Sequence, residues 1–204
     1  PSGSGKSTLI NILLGLIKPQ QGHLKIDNTI INDKNRRSWQ NTIGFVPQSI
    51  FLLDGTIAEN VAFGIPQDQI DLEQVQRVLK LAHLTELIQS LEHGIHTKVG
   101  ERGVQISGGQ CQRIGIARAL YPEPEVLVFD EATSSLDGIT EKMIMEAIHG
   151  FSGQKTIIMI AHRLKTVQKC DQIFFIDKGQ VVDQGTYQEL IETKENFKNM
   201  AAHA

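Results

Sequence analysis

The first eight residues combine glycines, hydroxyls and one lysine at a spacing that suits phosphate binding. They read PSGSGKST, the end of the pattern G-x-x-x-x-G-K-[ST] with its first glycine expected one position before Pro1. In that pattern glycines let backbone N–H groups turn towards phosphate oxygens, lysine adds a charge on the β- and γ-phosphates, and the hydroxyl binds Mg²⁺. A flexible Gly/Ser terminus is the competing interpretation, but a helical period begins directly behind, and helix N-termini favour phosphate. We therefore expect nucleotide binding by Gly3, Ser4, Gly5, Lys6, Ser7 and Thr8.

Two adjacent carboxylates, Asp130 and Glu131, follow an apolar run with the length of a buried strand. An aspartate at the carboxyl end of a strand beside a phosphate loop suits Mg²⁺, often through water, since ligands of open α/β sheets bind at that edge. Glu131 is then placed to orient and deprotonate an attacking water. Gln48 follows another apolar run and offers an uncharged amide to Mg²⁺ or to a water. Alone, the carboxylate pair is more typical of a surface turn, so the other motifs must decide.

A polar turn rich in glycine precedes another helical period and consists of Ser107, Gly108, Gly109 and Gln110. The simple interpretation is a capping box, with serine at the N-cap and glutamine three residues later. Each glycine in a first helical turn costs about 1 kcal/mol relative to alanine. Two of them are better explained if a triphosphate must approach the backbone closely.

One histidine, His162, follows the apolar residues 156–161 and is therefore expected at the carboxyl edge of the sheet. A lone histidine is more often structural than functional. That structural interpretation is kept for His23, His83, His93, His96, His149 and His203.

The elements that must position these residues alternate along the chain. Helical periods alternate with apolar runs of strand length, which predicts an α/β fold around a mostly parallel sheet. The strand candidates are residues 43–46, 126–129, 156–160, 172–176 and 181–182. Helices are expected directly after Lys6, Asp71, Ser107, Gly138 and Thr186, with capping-box partners for Asp71 and Thr186 at Gln74 and Glu189.

Strand signals vanish between residues 51 and 113, where helical periods dominate. We therefore predict a P-loop NTPase core at residues 1–50 and 114–204, with a helical subdomain inserted at residues 51–113 that ends in the Ser-Gly-Gly-Gln turn.

Composition excludes several classes of partner. The chain has 204 residues, of which 40% are hydrophobic and 21% charged, with a net charge of −3. Nucleic acid or an anionic bilayer would call for a basic excess, and no apolar run approaches the ~20 residues that span a membrane. Cys111 and Cys170 have no metal spacing and suit reduced thiols in a cytosolic compartment.

In the order in which they occur, these motifs resemble the nucleotide-binding domain of ABC transporters over essentially the whole chain. The resemblance implies that residues 3–8 form Walker A, Gln48 the Q-loop, residues 106–110 the signature motif and residues 126–130 Walker B. It also implies an ATPase fold with a P-loop core.

The resemblance assigns roles to single residues as well. Glu131 and His162 would be catalytic, as the general base and the switch histidine. Asp137, at the end of residues 134–137, would communicate across a dimer in the D-loop. The Mg²⁺ that accompanies ATP would be held by Ser7, Gln48 and Asp130, the last through water.

Family membership further implies a head-to-tail dimer of two nucleotide-binding domains, identical or different, with ATP between them. Walker A of one copy and Ser107, Gly108, Gly109 and Gln110 of the other would grip one triphosphate. ATP binding would close the dimer, and hydrolysis would release it.

Two stretches resemble exporters in particular. Residues 97–103 look like the segment that touches the coupling helices of the membrane domain, and residues 51–60 like the exporter region after the Q-loop. The resemblance implies a transmembrane domain fused upstream, a location on the cytoplasmic side of the inner membrane, and a lipid, oligosaccharide or polysaccharide as cargo.

The sequence departs from the family pattern at two places. Cys111 stands where exporters usually carry a basic or other polar residue. We expect a tolerated change on the exposed side of the first helical turn, where the thiol would be open to reaction. The strand that feeds the P-loop and the aromatic that stacks on adenine do not precede Pro1. We expect a truncated chain that binds ATP poorly by itself.

Other functions are weaker interpretations. A soluble ABC-type ATPase acting on ribosome or nucleic acid would need a basic face or a long coiled-coil insertion, and the sequence has neither. A P-loop kinase or GTPase leaves the Ser-Gly-Gly-Gln turn unexplained. A pure binding module without chemistry does not account for Glu131 and His162.

Overall fold

The computed structural model of the chain describes residues 4–101, 103–131, 138–161, 164–195 and 197–198. Within these residues the helices are α1 (Lys6–Leu13), α2 (Arg36–Asn41), α3 (Ile57–Val61), α4 (Leu72–Leu81), α5 (Thr85–Ser90), α6 (Gly108–Leu120), α7 (Gly138–His149), α8 (Leu164–Val167) and α9 (Tyr187–Thr193). The strands are β1 (Lys25–Ile26), β2 (Thr29–Ile30), β3 (Ile43–Val46), β4 (Gly55–Thr56), β5 (Lys98–Val99), β6 (Val126–Asp130), β7 (Thr156–Ile160), β8 (Ile173–Asp177) and β9 (Gln180–Gly185).

The chain divides into two compact units. The first unit joins Pro1–Asn41 with Met159–Ala204, and the second unit is Thr42–Ile158. The predicted helical subdomain at residues 51–113 falls inside the second unit together with β3, β6 and α7. The division of the chain into core and insertion stays a prediction.

A parallel sheet organises the second unit. Its strands β3 and β6 are neighbours and pair in parallel, from Ile43 opposite Val126 to Val46 opposite Phe129. The first four residues of β6 are all buried, as expected for a strand covered on both faces. The sheet and its parallel pairing confirm the predicted α/β fold.

Gly44 explains how closely β3 lies against α6. A Cβ atom on this buried residue would stand 2.3 Å from the carbonyl oxygen of Ala119 and 2.7 Å from a ring carbon of Pro124. Any side chain would therefore push the strand away from the end of α6. The glycine allows the C-terminal part of α6 to pack directly on the strand that leads to Gln48.

The helices of the second unit form its other core. α6 contacts α3 and α4, and α3 contacts α4. Each fully buried aliphatic side chain in such a core contributes about 1.5–3 kcal/mol of transfer free energy. The residues concerned are Ile57, Val61, Val75, Val78, Leu79, Ile114 and Ile116.

The helix caps agree with the predicted capping boxes, with one exception. Ser107 and Thr186 form complete capping boxes with Gln110 and Glu189, as predicted. The Asp71 side chain accepts a hydrogen bond from the Gln74 backbone, but the predicted return bond is wrong, because the Gln74 amide donates to the carbonyl of Tyr121 at 3.0 Å. A further capping box at Thr56 and Glu59 begins α3, and β4 pairs there with β5; neither was predicted.

We expect the replacement of Thr56 by alanine to lower the free energy of unfolding by about 1 kcal/mol, the usual cost of losing an N-cap. The Thr56 hydroxyl accepts from the Glu59 backbone at 3.1 Å and donates to the Glu59 carboxylate at 2.8 Å. Thermal or urea unfolding of the intact polypeptide measures the change. Thr56→Ser, which keeps the hydroxyl, should unfold like the wild type.

The same cap gives a pH dependence. Hydrogen bonds from the Thr56 backbone and then from its hydroxyl lower the pKa of Glu59 below its ordinary value of 4.5. A carboxyl group with a lowered pKa stabilises the fold above its unfolded pKa and loses that contribution as the pH falls through its folded pKa. The stability difference between wild type and Thr56→Ala should therefore be full at neutral pH and shrink below pH 4.5. A difference that grows on acidification would contradict this.

The first unit is organised around α1 and a hairpin. The Trp39 indole donates to the Leu13 carbonyl at 2.6 Å and the Gln40 amide to the Leu14 carbonyl at 3.2 Å, so α2 satisfies carbonyls at the end of α1. β8 and β9 form an antiparallel hairpin. A small apolar cluster of Leu164, Leu190 and Phe197 packs under α9.

Candidate functional site

The phosphate-loop residues described by the structure lie at the start of α1 in the first unit. Gly5 is the N-cap with a φ of 94°, a left-handed conformation that glycine adopts without strain. The Ser4 carbonyl accepts from the backbone of Gly179 in the β8–β9 turn at 2.9 Å. The Lys6 ammonium donates to the Ser4 hydroxyl at 3.1 Å, and Ser7 and Thr8 are exposed. A positively charged group therefore stands at a helix N-terminus, an arrangement that attracts phosphate.

The carboxyl edge of the sheet in the second unit brings Gln48 and Glu131 together. The Gln48 amide donates to a carboxylate oxygen of Glu131 at 3.1 Å. Each residue comes two positions after the last paired residues, Val46 and Phe129. The parallel register therefore carries both side chains to the same place.

The backbone at Glu131 is unusual. Its φ is 51°, which a non-glycine residue adopts rarely and mostly at a cost in strain. Glu131 is the first residue after β6, which ends at Asp130. Glu131 is only partly buried, so its carboxylate is accessible to water and to a ligand at the edge.

The Ser-Gly-Gly-Gln turn starts α6 as a capped helix. The Ser107 hydroxyl accepts from the Gln110 backbone at 3.2 Å, and the Gln110 side chain accepts from the Ser107 backbone at 3.0 Å. Gly108 is exposed, and an added Cβ atom there would meet nothing within 4 Å. The glycine is not required by packing within the described residues of the chain, which leaves room for an approaching ligand.

Cys111 differs from the sequence expectation. It is partly buried rather than exposed, and its thiol donates to the carbonyl of Ile50 at 3.4 Å. Burial raises the pKa of the Cys111 thiol, and the charge of Arg118 opposes this less strongly. Because reaction requires the thiolate, a raised pKa lowers the reactivity of this thiol. The expected exposure is wrong, and the reactivity of the thiol stays a prediction.

Two residues that the sequence did not single out hold the segment after Gln48. Arg118 of α6 donates to the carbonyls of Asn60 at 2.7 Å and of Phe51 at 3.1 Å, and its guanidinium lies 4.9 Å from the centre of the Phe63 ring. The fully buried Asn60 amide bonds both backbone groups of Leu53. Nothing in the spacing of these side chains indicated their partners.

Several predicted residues lie outside the described part of the chain. They are Gly3 of the phosphate loop, Asp137 with the rest of residues 134–137, and His162. Arg102, in the predicted coupling segment at residues 97–103, is also outside it. Their roles stay predictions.

No group of three or more His, Cys, Asp or Glu in the described part of the chain is arranged to hold a metal ion by itself. None of the helices within the same residues combines the length and apolarity that crossing a bilayer requires.

Comparison with known proteins gives a consistent result. The family model described as ABC transporter matches residues 1–134. The chain is 41% identical over 192 residues to the ATP-dependent lipid A-core flippase of Cupriavidus pinatubonensis, covering 94% of the chain and 32% of that protein. It is 42% identical over 193 residues to the multidrug resistance ABC transporter ATP-binding and permease protein of Lactococcus lactis, covering 95% of the chain and 32% of that protein.

A solved structure, described as a bacterial Atm1-family ABC exporter with ATP bound, matches with a TM-score of 0.91 and 37% identity. The match covers 100% of the chain and 35% of that exporter chain. The chain thus spans about a third of the length of the curated relatives it matches.

Proposed function

Because this chain belongs to the ABC transporter family and forms its ATP-hydrolysing domain, we propose that it drives a membrane exporter through ATP-dependent, head-to-tail dimerisation. The relatives and the solved structure described above are named as flippase, multidrug transporter and exporter. This disfavours the alternative of an ATPase acting on ribosome or nucleic acid.

The observation that carries the proposal is the contact of Gln48 with Glu131 at the carboxyl edge of the sheet, at 3.1 Å. In the proposed reaction Glu131 accepts a proton from the water that attacks the γ-phosphate. Gln48 holds the carboxylate in place before the nucleotide arrives. His162 is proposed to act with Glu131 as the switch histidine.

The remaining site residues are proposed to bind the nucleotide. Lys6 neutralises the β- and γ-phosphates while backbone amides of the loop from Gly3 to Thr8 point at phosphate oxygens. The signature residues Ser107 to Gln110 belong to the copy across the dimer, and Asp137 is proposed to connect the two copies. The open space at Gly108 supports this, because nothing in the described residues of its own chain fills it.

Mg²⁺ bound with ATP would neutralise charge that develops on the phosphates. The oxygens of Ser7, Gln48 and Asp130 suit this ion, because Mg²⁺ prefers hydroxyl, amide and carboxylate oxygens. A Mg²⁺ site also needs few protein ligands, since phosphate and water supply the others. The assignment of Ser7, Gln48 and Asp130 as ligands stays a prediction.

The proposed partner besides a second copy is a transmembrane domain of the same transporter. Four apolar residues of the second unit, Phe51, Leu53, Phe63 and Ile65, are 40–72% exposed. Exposed apolar residues that together form a patch mark an interaction site. We propose that these four residues contact the membrane domain beside residues 97–103, and that the chain lies on the cytoplasmic side of the inner membrane. A lipid, oligosaccharide or polysaccharide as cargo stays a prediction, because relatives of nearly equal identity are named for lipid A-core and for multidrug transport.

A complementation experiment tests the head-to-tail arrangement. Lys6→Ala removes the phosphate-loop charge, and Gly108→Asp places a carboxylate where the partner's γ-phosphate is proposed to lie. Aspartate suits a helix N-terminus better than glycine does, so α6 should stay folded. Each variant alone is expected to lower ATP turnover at least about tenfold. Lys6→Ala loses the charge that pairs with the phosphates, and Gly108→Asp brings a negative charge next to them.

Co-expression of the two intact polypeptides with different tags allows purification of the mixed oligomer. In a head-to-tail dimer the mixed oligomer keeps one complete site, with the phosphate loop of one chain and the signature of the other, so about half of the wild-type turnover should return. The control is a mixture of the two variants that were purified separately and have not exchanged subunits, so that no mixed oligomer is present. If the mixed oligomer is no more active than either variant, the signature does not act on the partner's nucleotide.

A further inference from the structure

Ile50, two residues after Gln48, lies directly on the signature helix α6. Its carbonyl accepts the hydrogen bond from the Cys111 thiol at 3.4 Å. Its side chain lies over Gly115, one helical turn further along α6. The next residue, Phe51, is held through its carbonyl by Arg118 at 3.1 Å. Three residues spaced along one helix thus fix the backbone that leaves Gln48.

Gly115 permits the closest of these contacts. A Cβ atom added to this buried glycine would lie 2.3 Å from Cδ1, 2.6 Å from Cγ1 and 3.2 Å from Cγ2 of Ile50. Glycine is a poorer helix former than alanine, so helix formation does not favour it in the middle of α6. Close approach of Ile50 is a reason for glycine at this position, because any side chain would displace the isoleucine.

Because Gln48 is only two residues before Ile50, displacement of Ile50 should also move Gln48. Gln48 donates to the Glu131 carboxylate at 3.1 Å, and a hydrogen bond weakens steeply when its partners move apart. One end of α6 carries the Ser-Gly-Gly-Gln turn. A rigid helix therefore joins the turn to the segment that holds Gln48.

We propose that Ile50 is a positioning residue, whose contact with Gly115 and Cys111 of α6 sets the place of Gln48 and thereby the alignment of Glu131. A shift of α6 when its N-terminus meets nucleotide is passed to the carboxylate through this contact. The inference rests on the proposed role of Glu131 in hydrolysis.

The test is Gly115→Ala in the intact polypeptide. The methyl group should move Ile50 and lower kcat about 10- to 100-fold, the usual cost of misplacing a reacting group by about 1 Å. The KM for ATP should change less than kcat, because the phosphate loop at Gly3 to Thr8 takes no part in this contact. A loss of general stability would instead appear in thermal unfolding, which is measured on the same samples.

Second substitutions at Ile50 distinguish misalignment of Gln48 from a loss of stability of α6. Ile50→Val removes the Cδ1 atom that the new methyl would meet, and Ile50→Ala removes all three clashing atoms. We expect kcat of Gly115→Ala to recover partly with Ile50→Val. With Ile50→Ala the clash disappears, but the contact is lost too, so kcat should stay low.

Thiol labelling supplies a readout that does not depend on activity. Displacement of Ile50 should uncover Cys111 and raise its rate of maleimide labelling severalfold, quantified by mass spectrometry of its peptide. Gly138→Ala is the matched control for labelling and stability, because it is also a helical glycine and an added Cβ atom there meets nothing within 4 Å.

Normal kcat in Gly115→Ala, with slower turnover in Glu131→Gln, would overturn the positioning role and leave the proposed function intact. Normal turnover in Glu131→Gln would instead remove the basis of both. A lowered kcat that Ile50→Val does not improve, with unchanged labelling of Cys111, would also overturn the inference.

Discussion

Replacement of Glu131 by glutamine is expected to slow ATP hydrolysis at least about 100-fold, while ATP remains bound. The substitution removes the proton acceptor but nearly keeps the shape of the side chain. Its amide oxygen can still accept from Gln48, whose donor lies 3.1 Å from the carboxylate in the structure. The left-handed backbone at this residue, with a φ of 51°, is equally open to both side chains.

Two measurements on the intact polypeptide check this expectation. Phosphate release gives the turnover, and chromatography of the nucleotide that survives rapid desalting shows whether ATP stays in the site. Glu125→Gln is a matched control, because this exposed glutamate precedes β6 and has no role in the proposed site. Unchanged turnover in Glu131→Gln would remove this residue from the role of general base.

The meeting of Gln48 with Glu131 shows what a sequence can supply. Both residues follow apolar runs, so the sequence predicted the strands and the common edge on which their side chains lie. The periodicity and the length of an apolar run are local features of the sequence, and they are sufficient to predict such strands. The register from Ile43–Val126 to Val46–Phe129 makes the two positions equivalent, and that register depends on packing, such as the contact of Gly44 with α6.

The position of Cys111 shows what a sequence does not supply. The helix and its cap were predicted from Ser107 and Gln110, and the structure confirms both. Which side of the first turn is covered depends on Ile50, which approaches from 61 residues earlier in the chain. A helical pattern contains no information about a segment that arrives from elsewhere, so the thiol was wrongly expected to be exposed.

Gly115 was the one feature of the sequence that indicated a close contact on α6, the one made by Ile50. A glycine inside an otherwise helical, apolar period indicates that something approaches the backbone closely. Its partner cannot be read from the same pattern. The same holds for Asn60, which is fully buried and bonded to the backbone of Leu53 and to Arg118, since long-range hydrogen bonds leave no periodic trace.

The second large effect is expected on ATP affinity. Replacement of Lys6 by alanine should weaken ATP binding by up to roughly 150-fold, because hydrogen bonds to charged groups contribute about 1.5–3 kcal/mol. Lys6 is the first residue of α1, so its charge adds to the positive end of the helix dipole, where phosphate is attracted. Gly5 and Ser4 keep their backbone positions through the Gly179 hydrogen bond at 2.9 Å, which does not involve the lysine.

Titration of the intact polypeptide with a fluorescent ATP analogue measures the loss, and thermal unfolding with and without ATP gives an independent value, since a bound ligand stabilises by its affinity and concentration. Lys18→Ala is the control for removal of one positive charge, because that lysine is exposed and forms a surface ion pair with Asp33 at 3.8 Å. Lys6→Arg should recover part of the affinity at most, since a planar guanidinium cannot place a compact point charge between two phosphates. Equal affinity in Lys6→Ala and Lys18→Ala would mean that the phosphates do not lie at the start of α1, and the predicted nucleotide site would then be wrong.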